Sequence, residues 1–229
     1  MRLKITKLEK DLIYFHALFV VLCVVILLLT IPNSVGIKLL ILVIFYNVSI
    51  PLIGKLRNHR KIISIWFFIF LVSIFQIWPD WFLSYELNIL VFPDDGFIKI
   101  GTVSMYMLGL WVIPLFIITF LGIKVQERYS NKKAYLVVSL LSLITFGLAE
   151  QSLWILNSWY PQNVTIIFGH LAIYIIIPEI LLGLSTFFTY IKIESEKLWI
   201  KILAAFFIML LYFGSASFFY FLIEKIILF

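Results

Sequence analysis

Hydrophobic residues run in seven long blocks along this chain, separated by short polar clusters, near positions 12–32, 36–54, 62–79, 101–123, 134–153, 165–190 and 198–223. Each block approaches the roughly 20 residues that a helix needs to cross about 30 Å of hydrocarbon. Backbone facing lipid must satisfy its own N–H and C=O groups, so the blocks are expected to be helical. The predicted fold class is therefore all-α, a seven-transmembrane helix bundle, with residues 1–229 forming a single integral membrane domain. The first block, "LIYFHALFVVLCVVILLLTIP", is longer than the core of a secretory signal, and no small-x-small cleavage pattern follows it. It is read as a retained helix.

Composition agrees with this pattern. The 229 residues are 63% hydrophobic and 13% charged, about half the charge fraction of a soluble domain. The single cysteine, Cys23, lies in the first block and excludes an intramolecular disulfide. The net charge of +6 is distributed in a way that points to a membrane and away from nucleic acid. Arg2, Lys4, Lys7 and Lys10 precede the first block, and Lys55, Arg57, Arg60 and Lys61 follow the second. Lys124, Arg128, Lys132 and Lys133 follow the fourth, and Lys192, Lys197 and Lys201 surround the sixth-to-seventh junction. Seven spans put all of these on one side and leave only Lys38, Lys99 and Lys225 on the other. By the positive-inside rule the N-terminus is cytoplasmic and the C-terminus outside.

The longest connection, "DWFLSYELNILVFPDDGFIKI" at 80–100, falls on the outer side and carries Asp80, Glu86, Asp94 and Asp95. Its "YELNILVF" core suits a short interfacial helix or strand, and "PDDG" reads as a tight turn. Trp78, Trp81, Trp154 and Trp159 fit an aromatic belt.

Three proline motifs suggest an internal repeat. "IPLI" at 50–53, "IPLF" at 113–116 and "IPEI" at 177–180 each lie in a descending span, the second, fourth and sixth. Each proline lacks an N–H, which frees the carbonyl four residues earlier, those of Asn47, Leu110 and Tyr174. The pattern predicts three related helical hairpins, followed by a seventh helix, with kinked members converging on a cavity. The third copy has Glu179 where the others have Leu52 and Leu115.

Ionisable residues inside spans are costly and propose a site by default. Glu179 is the deepest and is the first candidate acid, with Asn47 at similar depth as its expected partner. Glu150 and His170 match in depth on consecutive helices, so a Glu150–His170 contact is expected, with His170 and Tyr174 sharing a helical face. Gln151 lies beside Glu150. Asp94 and Asp95 precede a helix start holding Ser104 and Tyr106. The candidate catalytic residues are thus Glu179, Glu150 and His170, and the candidate substrate-binding residues are Asn47, Tyr174, Asp94, Asp95, Ser104, Tyr106 and Gln151. His16 and His59 neighbour no carboxylate cluster in the sequence and read as bystanders. The three histidines share no ligand spacing, so no metal is assigned. No GxGxxG or Walker loop occurs, so no cofactor is expected.

The segment "FPDDGFIKIGTVSMYMLGLWVIPLF" resembles part of a family of uncharacterised multi-pass bacterial membrane proteins. At the level of architecture, seven helices with intramembrane carboxylates are similar to membrane isoprenoid cyclases of the lycopene-cyclase-domain type. That resemblance implies a carboxylic acid that protonates an alkene beside aromatic faces. The nearest counterpart here of that family's Pro-x-Glu-Glu signature is Pro93-Asp94-Asp95. The expected function is to bind or transform a lipophilic (isoprenoid or lipid) substrate in an intramembrane pocket. A small-solute or proton-coupled transporter and a non-catalytic membrane subunit or assembly factor are the alternatives. Membrane lipids, a lipophilic small molecule and a second copy of the chain are the expected partners, in a cell membrane of the bacterial inner-membrane type.

Overall fold

A computed structural model describes residues 5–29 and 35–228. Arg2, Lys4 and the end of the first predicted block at 30–32 lie outside the described residues. Seven helical segments are long and apolar enough to cross a membrane: Lys7–Leu28, Val35–Leu56, Arg60–Glu86, Met107–Arg128, Asn131–Leu156, Ile173–Ile193 and Leu198–Ile227. Among the described residues they comprise nine α-helices in chain order. These are α1 (Lys7–Leu28), α2 (Val35–Leu56), α3 (Arg60–Phe75), α4 (Ile77–Trp81), α5 (Met107–Leu110), α6 (Val112–Arg128), α7 (Asn131–Ser152), α8 (Ile176–Ile193) and α9 (Leu198–Tyr220).

Helices α3, α6, α8 and α9 form the centre of the bundle, and Phe68, Phe116, Phe187 and Ile65 are fully buried there. Helix α1 lies at the margin, and Val20, Val21, Val24 and Val25 on it are exposed. Close approach of α6, α7 and α8 depends on small residues, as in other apolar bundles. A Cβ on Gly122 would lie 2.5 Å from Val138 and 2.9 Å from Phe187, and one on Gly183 would collide with Ser142.

One end of the bundle is basic and ion-paired. Lys61 and Lys124 both meet Glu127, and Arg128 donates to Glu9 at 2.5 Å. Arg57 and His59 lie 3.6 and 3.1 Å from Asp11. His59 is therefore paired with a carboxylate, contrary to its reading as a bystander. His16 also has partners, the Tyr46 hydroxyl at 3.0 Å and the Leu12 carbonyl at 2.8 Å. Both pairings join segments that are remote in the sequence.

The opposite end carries a cap in place of simple loops. It holds three antiparallel strand pairs: β1 (Leu90–Val91) with β4 (Tyr160–Pro161), β2 (Lys99–Ile100) with β3 (Val103–Ser104), and β5 (Ile166–Ile167) with β6 (Leu171–Ala172). The cap moves three predicted boundaries. The third span continues past 79 to Glu86, which brings Asp80 into it. The fourth begins at Met107 instead of 101, because Lys99–Ser104 folds as the β2–β3 hairpin. The sixth begins at Ile173 instead of 165, because 166–172 forms the β5–β6 hairpin. Gly101 and Gly169 supply the positive φ (62° and 98°) that these turns require. Short apolar hairpins resemble helix in a hydropathy window, since both are simply oily.

The prolines are also arranged differently from the expectation. Pro114 and Pro178 are each the third residue of a helix that restarts after a break, where a missing N–H costs no helical bond. Among the prolines of the described residues, Pro51 alone lies deep inside an unbroken helix, α2.

The packing predicts that Gly122→Ala will destabilise the fold by about 1–3 kcal/mol. Thermal unfolding of the detergent-solubilised protein checks this. A midpoint equal to that of the wild type would show that α7 and α8 are not in tight contact with α6.

Candidate functional site

Three helix interruptions converge below the cap. The first is at Gln76, where α3 ends and α4 begins; Pro79 lacks the N–H that would continue the ladder. A wide π-turn, Phe82–Glu86, follows, and such turns recur at functional positions. The second is at Trp111, between α5 and α6. Neighbouring helices satisfy the carbonyls of this broken stretch: Ser73 donates to Leu108 at 2.8 Å and Asn47 to Gly109 at 3.1 Å. The third is the tight 3-10 turn Ile173–Ile175 that leads into α8.

Between these interruptions lies a cavity of about 250 Å³. Asp80 from α4, Glu150 from the last turn of α7 and Glu179 from the first turn of α8 all line it. Apart from these carboxyls, the Tyr174 and Tyr212 hydroxyls and Thr145, the wall is apolar or aromatic, and Leu90, Phe92, Trp159 and Pro161 of the cap close it. Among the described residues, no lysine, arginine or histidine lines it.

The three carboxyls are held differently. The Trp111 indole N–H donates to Asp80 Oδ2 at 3.2 Å, and the Trp159 indole N–H donates to Glu150 Oε1 at 2.9 Å. Phe146 and Tyr212 fix the Trp111 ring, with centroids 5.6 and 5.7 Å away. Glu179 is only 4% exposed, yet among the described residues it has no hydrogen-bond partner. The Tyr174 and Tyr212 hydroxyls likewise have none. Asp80 and Glu150 are both close enough to act electrostatically on Glu179. Among the described residues, no group of three His, Cys, Asp or Glu is close enough to hold a metal ion.

Three of the ten sequence candidates, Glu179, Glu150 and Tyr174, therefore meet in one cavity. The others lie elsewhere. Asn47 does not line this cavity; it joins α2 to α3 and α5, accepting from Trp66 at 3.1 Å and donating to Gly109 at 3.1 Å. His170 does not touch Glu150; it sits in the β5–β6 turn with its ring stacked on Trp154 at 3.8 Å. Gln151 holds that hairpin by donating to Ile167 at 3.0 Å. Tyr106 is buried and donates to the Ser158 carbonyl at 3.2 Å, and Ser104 is buried in β3. Asp94 is exposed at the turn, where it accepts from Gly96. Asp95 is buried, and its backbone carbonyl accepts from Gly36 at the start of α2 at 2.8 Å. The Pro93-Asp94-Asp95 segment is thus a structural turn outside the cavity.

Sequence reasoning missed Asp80, Trp111, Trp159 and Tyr212 as cavity residues. Asp80 did leave a signal: in "IWPDWFL" it is enclosed by aromatic and aliphatic residues, unlike a carboxylate in a solvated loop. Nothing in the local sequence distinguishes Tyr212 from the other aromatics.

A family model described as a domain of unknown function (DUF6989) matches residues 77–223, which include every carboxylate of the cavity. No curated protein and no solved structure matches the chain.

Trp111→Phe is predicted to cost about 1–3 kcal/mol of stability, because it leaves a buried carboxyl oxygen without its donor. Adding Asp80→Asn in that background should cost much less than Asp80→Asn does alone. Unfolding midpoints for the four proteins of the cycle measure this coupling, and strict additivity would contradict the indole–carboxyl contact.

Proposed function

The chain belongs to the DUF6989 family, and we propose that it is a membrane protein that binds a lipophilic molecule of the isoprenoid or lipid class and acts on it by proton transfer from Glu179. One observation carries this reading. A buried carboxyl without a protein partner opens into a cavity that is otherwise apolar and aromatic, with two more carboxyls beside it. The acid form of such a carboxyl is the one that can donate a proton.

The chemistry balances without another reagent. The Glu179 proton adds to one alkene carbon, and the π electrons form the new C–H bond. The other carbon becomes a carbocation and Glu179 a carboxylate. Loss of a proton from an adjacent carbon to one of the three carboxyl groups restores a double bond, shifted or within a new ring. The faces of Trp111, Trp159 and Tyr212 would stabilise the cation in between.

A second reading, a proton-coupled transporter, draws on the restarted helices α6 and α8 beside the cavity. Proton flux into proteoliposomes separates the two, since an acid catalyst that returns its proton drives none. For placement, the basic, ion-paired end is assigned to the cytoplasm and the strand-bearing cap to the outside of a cell membrane.

Lipid extracts of wild-type and Glu179→Gln protein, compared by mass spectrometry, test the catalytic reading. The variant should retain an unsaturated lipophile that the wild type converts, with turnover lower by about 10²–10⁴-fold. Identical extracts and identical turnover would remove Glu179 from the chemistry. Placement is tested with single cysteines at Asp94 and Lys132 in a Cys23→Ser background. A membrane-impermeant maleimide applied from outside should label only the first.

A further inference from the structure

We propose that the cavity is selective for an occupant with a single positive centre carrying apolar substituents, such as a quaternary ammonium head or the carbocation formed from a neutral precursor. The inference deepens the reading of this same site and rests on its assignment as the binding pocket. It does not rest on the carboxyl cluster alone. Glu179 is 4%, Tyr174 3% and Tyr212 2% exposed, all three line the cavity, and none has a hydrogen-bond partner among the described residues. These groups are presented to a ligand.

The sign of that ligand's charge follows from the wall. Asp80 and Glu150 accept indole N–H bonds, and among the described residues no basic side chain lines the cavity, so an anion would find no countercharge. A strongly hydrated ion such as a primary ammonium or a metal would also lose its water against a mostly apolar surface. A cation shielded by alkyl groups avoids both costs, because its charge is diffuse and its substituents match the wall. Indole faces favour the same species, and aromatic enclosure of quaternary ammonium is a known use of cation–π attraction. The indole donors to Asp80 and Glu150 leave one oxygen of each carboxyl for the ligand.

Size narrows the class further. About 250 Å³ lies just below the range of roughly 300–1,000 Å³ for pockets that enclose a drug-sized ligand. The cavity therefore takes the branched head of a long lipophile and leaves its tail outside.

The protein in nanodiscs can be titrated with decyltrimethylammonium and with its neutral isostere, in which a tert-butyl group replaces the trimethylammonium head. Tryptophan fluorescence reports binding, since Trp111 and Trp159 line the site. The ammonium should bind at least tenfold more tightly than the isostere. The double variant Asp80→Asn/Glu150→Gln should reduce that ratio towards one. Equal affinities in the wild type would overturn cation selectivity, and so would a ratio unaffected by the double variant. Nanodiscs of matched lipid without protein correct for partitioning, and the neutral isostere confirms that the double variant still holds a folded pocket. The outcome is independent of the lipid-extract comparison. Selectivity with unchanged extracts would keep the cation site and reject acid catalysis; changed extracts without selectivity would do the reverse.

Discussion

A polar group inside an apolar bundle must find a partner or remain at a cost of several kcal/mol, and the arrangement of this protein follows from how it meets that demand. The broken α5–α6 stretch exposes backbone groups, and side chains from neighbouring helices meet them. Ser73 and Asn47 reach the broken α5–α6 stretch, and the indoles of Trp111 and Trp159 reach carboxyls. Three of the exceptions are informative because they are grouped. Glu179, Tyr174 and Tyr212 have no partner and share one cavity. Gln76, fully buried one helical turn before Asp80, also lacks one for both side-chain atoms among the described residues.

The two ends of the bundle solve different problems. At the basic end, carboxylates from α1 and α6 neutralise cations from α3, α6 and the α2–α3 turn, and this ties segments together where water can also reach. At the other end, strand pairing closes the structure. The β1–β4 pair joins two connections about seventy residues apart in sequence, with Leu90 opposite Pro161. Gln162 reinforces the join by donating to Asn88 at 2.7 Å. The C-terminal stretch adds a clasp, since Glu224 accepts from both the N–H and the hydroxyl of Thr165 at 2.9 Å. These contacts set the cap over the cavity, so the site depends on connections that are not themselves helical.

The legibility of individual residues divides along physical lines. Glu179 was conspicuous because a carboxylate amid aliphatic residues is costly wherever the chain folds. Glu150 and Tyr174 were placed by depth along a helix, a coordinate that sequence supplies. His170 was misplaced for the same reason in reverse: depth was counted along a helix, and the residue belongs to a hairpin. Asn47 was paired with Glu179 by depth, but its partners lie on α3 and α5, because the rotation of a helix about its axis is set by its neighbours. Asp80 was assigned to a loop, since a proline and a charge at the end of an apolar run look like a boundary.

From the sequence alone came seven apolar helices, the segregation of cations to one end, and a buried acid that requires explanation. These are properties of composition and spacing, and transfer energies act on them residue by residue. Only the tertiary structure decided which acids share a space, which indoles hold them, and that hairpins cover them. Those outcomes depend on contacts between segments far apart in the chain, such as Trp111 with Asp80 and Leu90 with Pro161. Their energies arise only when packing has chosen each helix's rotation and partner.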